Sequence, residues 1–109
     1  MPRNITLATA TGVLAAAVAE ATLVGPTAVA ANTVLRVTDI VCACDNVATF
    51  WIADAAFAHI APVYFAAAGY NAVTFGTPLE FAAGTSITVR VISAAGAYLE
   101  ATWNGILIS

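Results

Sequence analysis

The chain contains no lysine, and only 8% of its 109 residues are charged. Its cations are Arg3, Arg36 and Arg90, which lie far apart in the sequence. Nucleic-acid binding and attachment to an anionic lipid surface both need clustered Lys and Arg, so the sequence predicts neither partner. Intrinsic disorder is also excluded, because it requires low hydrophobicity, whereas 61% of these residues are hydrophobic.

The sequence also lacks a membrane-spanning run, which needs about 20 continuous apolar residues. Segment 5–31 comes nearest, but threonines interrupt it and Glu20, Gly25 and Pro26 break it. We therefore predict no membrane segment here.

Three other interpretations of the N-terminus compete. A signal peptide would combine Arg3, the apolar stretch Val13–Val18 and a cleavage motif at Ala28–Ala30. A helix over Val13–Ala21 is the second, because alanine is the best helix former. We favour the third, an extended arm over residues 1–30 that holds short strands and lies against a partner.

The apolar content exceeds what one small domain can bury in its own core. Alanine, which contributes little area, accounts for part of it. We expect the remainder to be buried between protein subunits.

From Thr33 onward the hydrophobic pattern has a period of two. Leu35, Val37 and Val41 are predicted on one face, with Arg36 and Thr38 on the other. The further predicted strands are Val47–Ile52, Val63–Phe65, Val73–Phe75, Leu79–Phe81, Thr85–Ile92, Tyr98–Trp103 and Ile106–Ile108. Along Thr85–Ile92, the clearest of them, Ile87, Val89 and Val91 are predicted on one face, with Thr88 and Arg90 on the other.

Turn signals separate these strands about every 8–12 residues, which is typical of a sandwich or barrel. They include Gly69-Tyr70-Asn71, Gly76-Thr77-Pro78 and Asn104-Gly105, the last a strong two-residue turn candidate. The predicted fold class is all-β: one antiparallel, jelly-roll-like β-sandwich over residues 31–109.

The stretch TPLEFAAGTSITVRVISAAGAYLEATWNGILI, residues 77–108, resembles small bacteriophage capsid decoration or cement proteins. These are jelly-roll or related β-sandwiches in which a PL-x-F-x-AG segment precedes a V-x-V strand, and an NG tail often follows. The Thr, Ala and Val run at the N-terminus is similar to those chains as well.

The resemblance implies a non-enzymatic homotrimer that is assembled in the host cytoplasm and binds major capsid protein on the outer surface of the virion. It implies no cofactor and transfers no catalytic residue. A tail- or fibre-associated carbohydrate-binding module is the alternative, and a small enzyme is a third.

Cys42 and Cys44 are the most tempting chemical motif. Residues i and i+2 of a strand point to one face, so the thiols are expected to be neighbours, and a bridge between them would be strained. A metal site would need about two more ligands. We expect buried free thiols instead.

His59 has no nucleophile in a recognisable motif and is interpreted as a loop histidine. Asp54 with Glu80 or Glu100 forms a carboxylate pair of little specificity. No catalytic, cofactor or metal residue is predicted.

The aromatic residues have two possible roles, a sugar-stacking platform or packing in the core or at an interface. Trp51 and Trp103 are the candidate interface anchors, since Trp is enriched at binding hot spots. Leu14 and Val18 are the candidate contacts within the arm. The residues considered for a platform are Phe50, Trp51, Tyr64, Phe65, Tyr70, Phe75, Phe81, Tyr98 and Trp103.

Overall fold

A computed structural model describes residues 4–15, 17, 19–54, 59–95 and 97–109. These residues form strands, turns and bends without a helix, and none of their segments is a helix able to cross a membrane. The strands are β1 (Ile5–Leu14), β2 (Ala21–Ala28), β3 (Val34–Cys44), β4 (Ala48–Ala53), β5 (Ile60–Phe65), β6 (Gly69–Phe81), β7 (Ser86–Ser93) and β8 (Leu99–Ile108).

The strands form two antiparallel four-stranded sheets. The first has the order β1-β8-β3-β6 and the second β2-β7-β4-β5. Strand pairs 1 and 8, 2 and 7, 3 and 6, and 4 and 5 are all neighbours, as in a long hairpin rolled into two layers. This is the strand order of an eight-stranded jelly roll, so the predicted fold class is confirmed.

The predicted N-terminal arm is wrong for the residues described. Ile5–Leu14 forms an edge of the first sheet on β8, and Ala21–Ala28 forms an edge of the second sheet on β7. The alternative helix over Val13–Ala21 is wrong too, because Val13 lies in β1 and Ala21 is the first residue of β2. Threonine and alanine give only a weak local preference for one secondary structure. Backbone pairing with distant strands therefore decides that this segment is extended.

The core lies between the sheets and follows the alternation of their strands. On β7 the inward residues Ile87, Val89 and Val91 are fully buried, as the period-two pattern predicts. Phe50 on β4 and Trp103 on β8 fill the centre from the two sheets.

A bulge in β3 corrects one predicted face. The register with both neighbouring strands shifts between Val37 and Asp39. The extra residue reverses the alternation, so Ile40 and Cys42 point inward and are fully buried, while Val41 is only half-buried. An inserted residue has this effect on every later side chain of a strand.

Three predicted turns lie in strands, and the first of them, Gly69-Tyr70-Asn71, begins β6. Asn104-Gly105 belongs to β8, and Gly76-Thr77-Pro78 belongs to a wide bulge of β6. At Gly105 a Cβ atom would stand 2.4 Å from the carbonyl oxygen of Arg36. This glycine allows a close backbone approach in the sheet instead of reversing the chain.

Candidate functional site

The predicted interface residues do not form one surface. Trp103 is buried between the sheets, and Leu14 packs against the same core. Trp51 points out of the second sheet but is also buried. Neither indole can serve as a surface anchor in this fold, which corrects that prediction, and Val18 lies outside the described residues.

The outer face of the second sheet carries a charged cluster around Arg90. Its guanidinium donates a hydrogen bond of 3.0 Å to Glu20 Oε2 and one of 2.7 Å to Thr22 Oγ1. Only 12% of the Arg90 side chain is exposed. Glu20 precedes β2, whereas Thr22 and Arg90 are cross-strand partners, so the pairing of β2 with β7 assembles the cluster.

His59 covers the other side of this cluster. Its Nε2 lies 3.4 Å from Glu20 Oε1. Its ring stacks on the Trp51 indole with centroids 4.1 Å apart and planes at 28°. Trp51 is the cross-strand partner of Arg90, so the covered indole and the guanidinium lie side by side. We call Glu20, Trp51, His59 and Arg90 the covered cluster.

The electrostatics of the covered cluster are those of a structural ion pair. The hydrogen bond from Arg90 lowers the pKa of Glu20, which partial desolvation opposes and His59 reinforces. Both carboxylate oxygens face cations or potential cations, so Glu20 is held ionised and is a poor proton acceptor. Within the described part of the chain, His59 contacts Glu20 and Trp51, and no hydroxyl or thiol nucleophile is found beside it.

The two cysteines are free and buried, as predicted from their spacing. Burial, with a smaller effect from Cys44, raises the pKa of Cys42 to about 12. Burial raises the pKa of Cys44 as well. Both thiols are therefore protonated at neutral pH and lack the thiolate that a nucleophile requires. The described residues contain no group of three or more His, Cys, Asp and Glu that could hold a metal ion.

Asp54 and Glu80 line one open groove of about 370 Å³ at the end of the sandwich. Ile60, Leu79 and Phe81 supply its apolar wall. Glu80 is paired with Arg36 at 3.3 Å, and both side chains are largely exposed. Glu100, the other carboxylate considered from the sequence, lies on β8 and does not line this groove.

The outer face of the first sheet has a row of polar contacts at its centre. Thr9 Oγ1 donates to Asn104 Oδ1 over 2.9 Å, and Asn104 Nδ2 donates to Asp39 Oδ2 over 2.8 Å. The Thr11 and Thr102 hydroxyls are 2.8 Å apart in the adjacent row. Thr9 Oγ1 is also 3.1 Å from the Trp103 backbone carbonyl, to which it can donate. These groups therefore bond to one another and to the backbone, so they link strands rather than aim at a ligand.

Beside that row the same face is apolar and open. Ile5 pairs with Ile108 and Leu7 with Ile106 across β1 and β8. Ile5 is 65% exposed and Leu7 is 87% exposed. We call these four residues the apolar patch. Ile106 and Ile108 are half-buried, and Arg36 on β3 borders the patch beside Ile106. The aliphatic side chains of the patch offer no chemistry for catalysis, but they form the kind of surface that a protein partner covers.

The aromatic residues considered for a sugar-stacking platform divide into a buried group and an exposed group. Phe50, Trp51, Phe65, Phe81 and Trp103 are buried. The exposed rings belong to tyrosines on different parts of the fold, namely Tyr64 on β5, Tyr70 on β6 and Tyr98 before β8.

No family model, no curated protein and no solved structure matches this chain.

Sequence reasoning missed the covered cluster and the apolar patch. Arg90 and Thr88 were assigned to the outer face of their strand, but Glu20 lies 70 residues away and carries no local signal for this contact. The patch was missed because its residues were divided between a supposed arm and a short terminal strand.

Proposed function

We propose that this protein is a non-enzymatic structural protein of a bacteriophage particle. It binds the outer surface of the capsid as a cement or decoration protein and stabilises the shell. The observation that carries the proposal is the apolar patch, because large exposed aliphatic side chains on a small domain mark protein-binding surfaces.

The fold supports this proposal. Eight-stranded jelly rolls are a recurrent architecture of viral capsid proteins, although a fold by itself does not define a function. The polar groups described on the outer faces are engaged with one another, and the thiols are buried and protonated. The proposed partner is major capsid protein, in line with the trimeric decoration proteins that residues 77–108 resemble.

The test is the amount of the protein in purified phage particles. We expect a copy number comparable with that of a shell protein, measured by quantitative mass spectrometry of density-banded particles. Absence from particles would overturn the proposal.

A pair of matched variants locates the binding surface. Ile106→Lys places a charge in the apolar patch and is expected to abolish incorporation into particles. Ile92→Lys makes the same change at an exposed isoleucine of the second sheet and is expected to leave incorporation unchanged. Equal incorporation of both variants would contradict a role for the patch.

A carbohydrate-binding module of the tail or fibre is the second candidate, because Tyr64, Tyr70 and Tyr98 are exposed. Binding on a glycan array that is lost on substitution of one of these tyrosines by alanine would favour it over the capsid role.

A further inference from the structure

The two sheets have four edge strands: β1 and β6 in the first, β2 and β5 in the second. A free edge exposes unpaired N–H and C=O groups, and proteins commonly interrupt such edges with proline or a bulge. Three edges here are interrupted in both ways. Pro26 in β2, Pro62 in β5 and Pro78 in β6 each lie within a register shift of their strand.

The β1 edge has neither protection. Its 10 residues pair with β8 in one unbroken register. The sequence contains no proline and no charged residue between Arg3 and Glu20. β1 is therefore a long, straight, uncharged edge with exposed aliphatic side chains, which is the combination that pairs with another strand.

The register identifies which backbone groups of β1 face outward. Ser109 N–H donates to the Asn4 carbonyl over 3.0 Å, and these two residues continue the β1–β8 register. Antiparallel pairs alternate between hydrogen-bonded and non-hydrogen-bonded types. Even-numbered residues therefore bond to β8, and the odd-numbered ones turn their N–H and C=O groups to the free edge. These are Ile5, Leu7, Thr9, Thr11 and Val13.

We propose that β1 pairs with β1 of a second copy of this chain, antiparallel and centred on Thr9. The two-fold axis places Thr9 opposite its own copy, Leu7 opposite Thr11 and Ile5 opposite Val13. In this register every odd-numbered residue of the edge finds a hydrogen-bonding partner, whereas a shift by two residues in either direction leaves some unpaired. The two first sheets join into one continuous sheet of eight strands.

A second copy suits this edge better than a different protein chain. An antiparallel pair of identical strands is self-complementary, as a two-fold contact requires. No like charges meet across it, although each chain carries a net charge of −3. Ile5 and Val13 form an aliphatic cross-strand pair. The β1–β1 pairing does not depend on the proposed function, and it can be tested with the purified protein alone.

The first test is the oligomeric state of the purified protein by sedimentation equilibrium. We expect a reversible dimer, which differs from the trimer that the resemblance implies. Thr9→Lys places two ammonium groups opposite each other at the axis and is expected to raise the dimer dissociation constant about tenfold or more.

The matched control is Thr74→Lys. Thr74 lies in the same row of the same outer face, but on β6 at the opposite edge, and it is exposed. The dimer dissociation constant of the Thr74→Lys variant should equal that of the wild type. Thermal unfolding of both variants, followed by circular dichroism, checks that they remain folded.

The second test is disulfide cross-linking of the folded protein through an introduced cysteine. The protein is then unfolded in the presence of N-ethylmaleimide, which alkylates the native thiols as they become exposed and prevents disulfide exchange. Thr9→Cys should form an intermolecular disulfide, since opposed residues have Cα atoms about 5.5 Å apart, within disulfide range. Thr11→Cys should not, because its copy lies four residues along the strand, about 14 Å away. A mixture of Leu7→Cys and Thr11→Cys chains should cross-link.

Each result decides the proposal. A dimer that Thr9→Lys weakens and Thr74→Lys does not, with cross-linking at Thr9, supports it. A monomer or a trimer at all concentrations would overturn it, as would equal effects of the two lysine variants. Cross-linking at Thr11 alone would overturn the register.

Discussion

The outer faces of the two sheets arise from the same alternation, but only the second is covered in part, around Trp51 and Arg90, while Ile92 and Tyr64 of that face stay exposed. On the second sheet Trp51 and Thr88 are buried although they point away from the core, and Arg90 is nearly so. Glu20, which precedes β2, contacts Arg90, and His59, which precedes β5, stacks on Trp51. On the first sheet Leu7 and Tyr70 remain open.

The difference teaches that alternation defines which side chains leave the core, whereas the connections between strands decide which of these are shielded from water. The apolar content of the chain divides accordingly. Much of it lies between the sheets, part lies under His59, and the apolar patch remains for a partner.

The largest expected effect comes from Trp51→Ala. Removing this buried indole should lower the free energy of unfolding by about 3 kcal/mol, in the range for buried aromatic residues. Tyr70→Ala, on the open face of the first sheet, should change it by about 0.5 kcal/mol or less. Urea unfolding of both variants checks the comparison, and equal losses would show that the two faces are alike.

Two glycine substitutions compare the packing at the inner side of the first sheet, where Gly105 lies on β8, with the packing at its edge, where Gly76 lies on β6. Gly105→Ala forces a methyl group against the backbone of Arg36 and should cost about 2 kcal/mol. Gly76→Ala adds a methyl group where no atom lies within 4 Å and should cost nothing or stabilise slightly. The midpoints of thermal unfolding report both, and an unchanged Gly105→Ala midpoint would contradict the close approach.

The ion pairs of the two faces can be compared by acid titration. The pKa of Glu20 lies below its ordinary value of 4.5, so Glu20 contributes stability above that pH and loses it as the pH falls through the lowered pKa. Glu20→Gln should reduce stability at pH 7 by less than the Gly105 change and should flatten the acid loss.

Glu80→Gln is the control for this titration. Glu80 pairs with Arg36 in solvent, where an ion pair contributes little. The free energy of unfolding of Glu80→Gln at pH 7 should therefore match that of the wild type. An acid profile of Glu20→Gln identical with that of Glu80→Gln would refute a special role for the covered cluster.

The smallest effect is expected for Thr102→Val on the open face. The variant keeps the branched shape that suits a strand and loses only the exposed contact with Thr11. The free energy of unfolding should fall by about 0.5 kcal/mol or less. A loss comparable with that of Trp51→Ala would mean that the first face is also shielded.

The sequence predicted much of the core and less of the sheet edges. The alternation of Ile87, Val89 and Val91 identified β7 and its inward face, and the spacing of the cysteines predicted two buried thiols on one side of β3. These are local patterns with strong contrast between neighbouring residues.

The edge strands failed because their contrast is weak. In the middle of β1, Thr9 and Thr11 lie on one side and Ala8 and Ala10 on the other, so its pairing with β8 has no clear local signature. Asn104-Gly105 has the composition of a turn but lies inside β8, since the close approach of Arg36 demands a glycine there. Tertiary packing overrides turn preference at that position.

The sequence alone determined that the chain is an all-β sandwich with a large apolar content, because side-chain alternation depends only on neighbouring residues. The tertiary structure decided that Ile5–Leu14 and Ala21–Ala28 are strands of the two sheets, that Glu20 meets Arg90, and that β1 is an unprotected edge. Each of these results depends on groups distant in the chain, and local pattern carries no information about which of them meet.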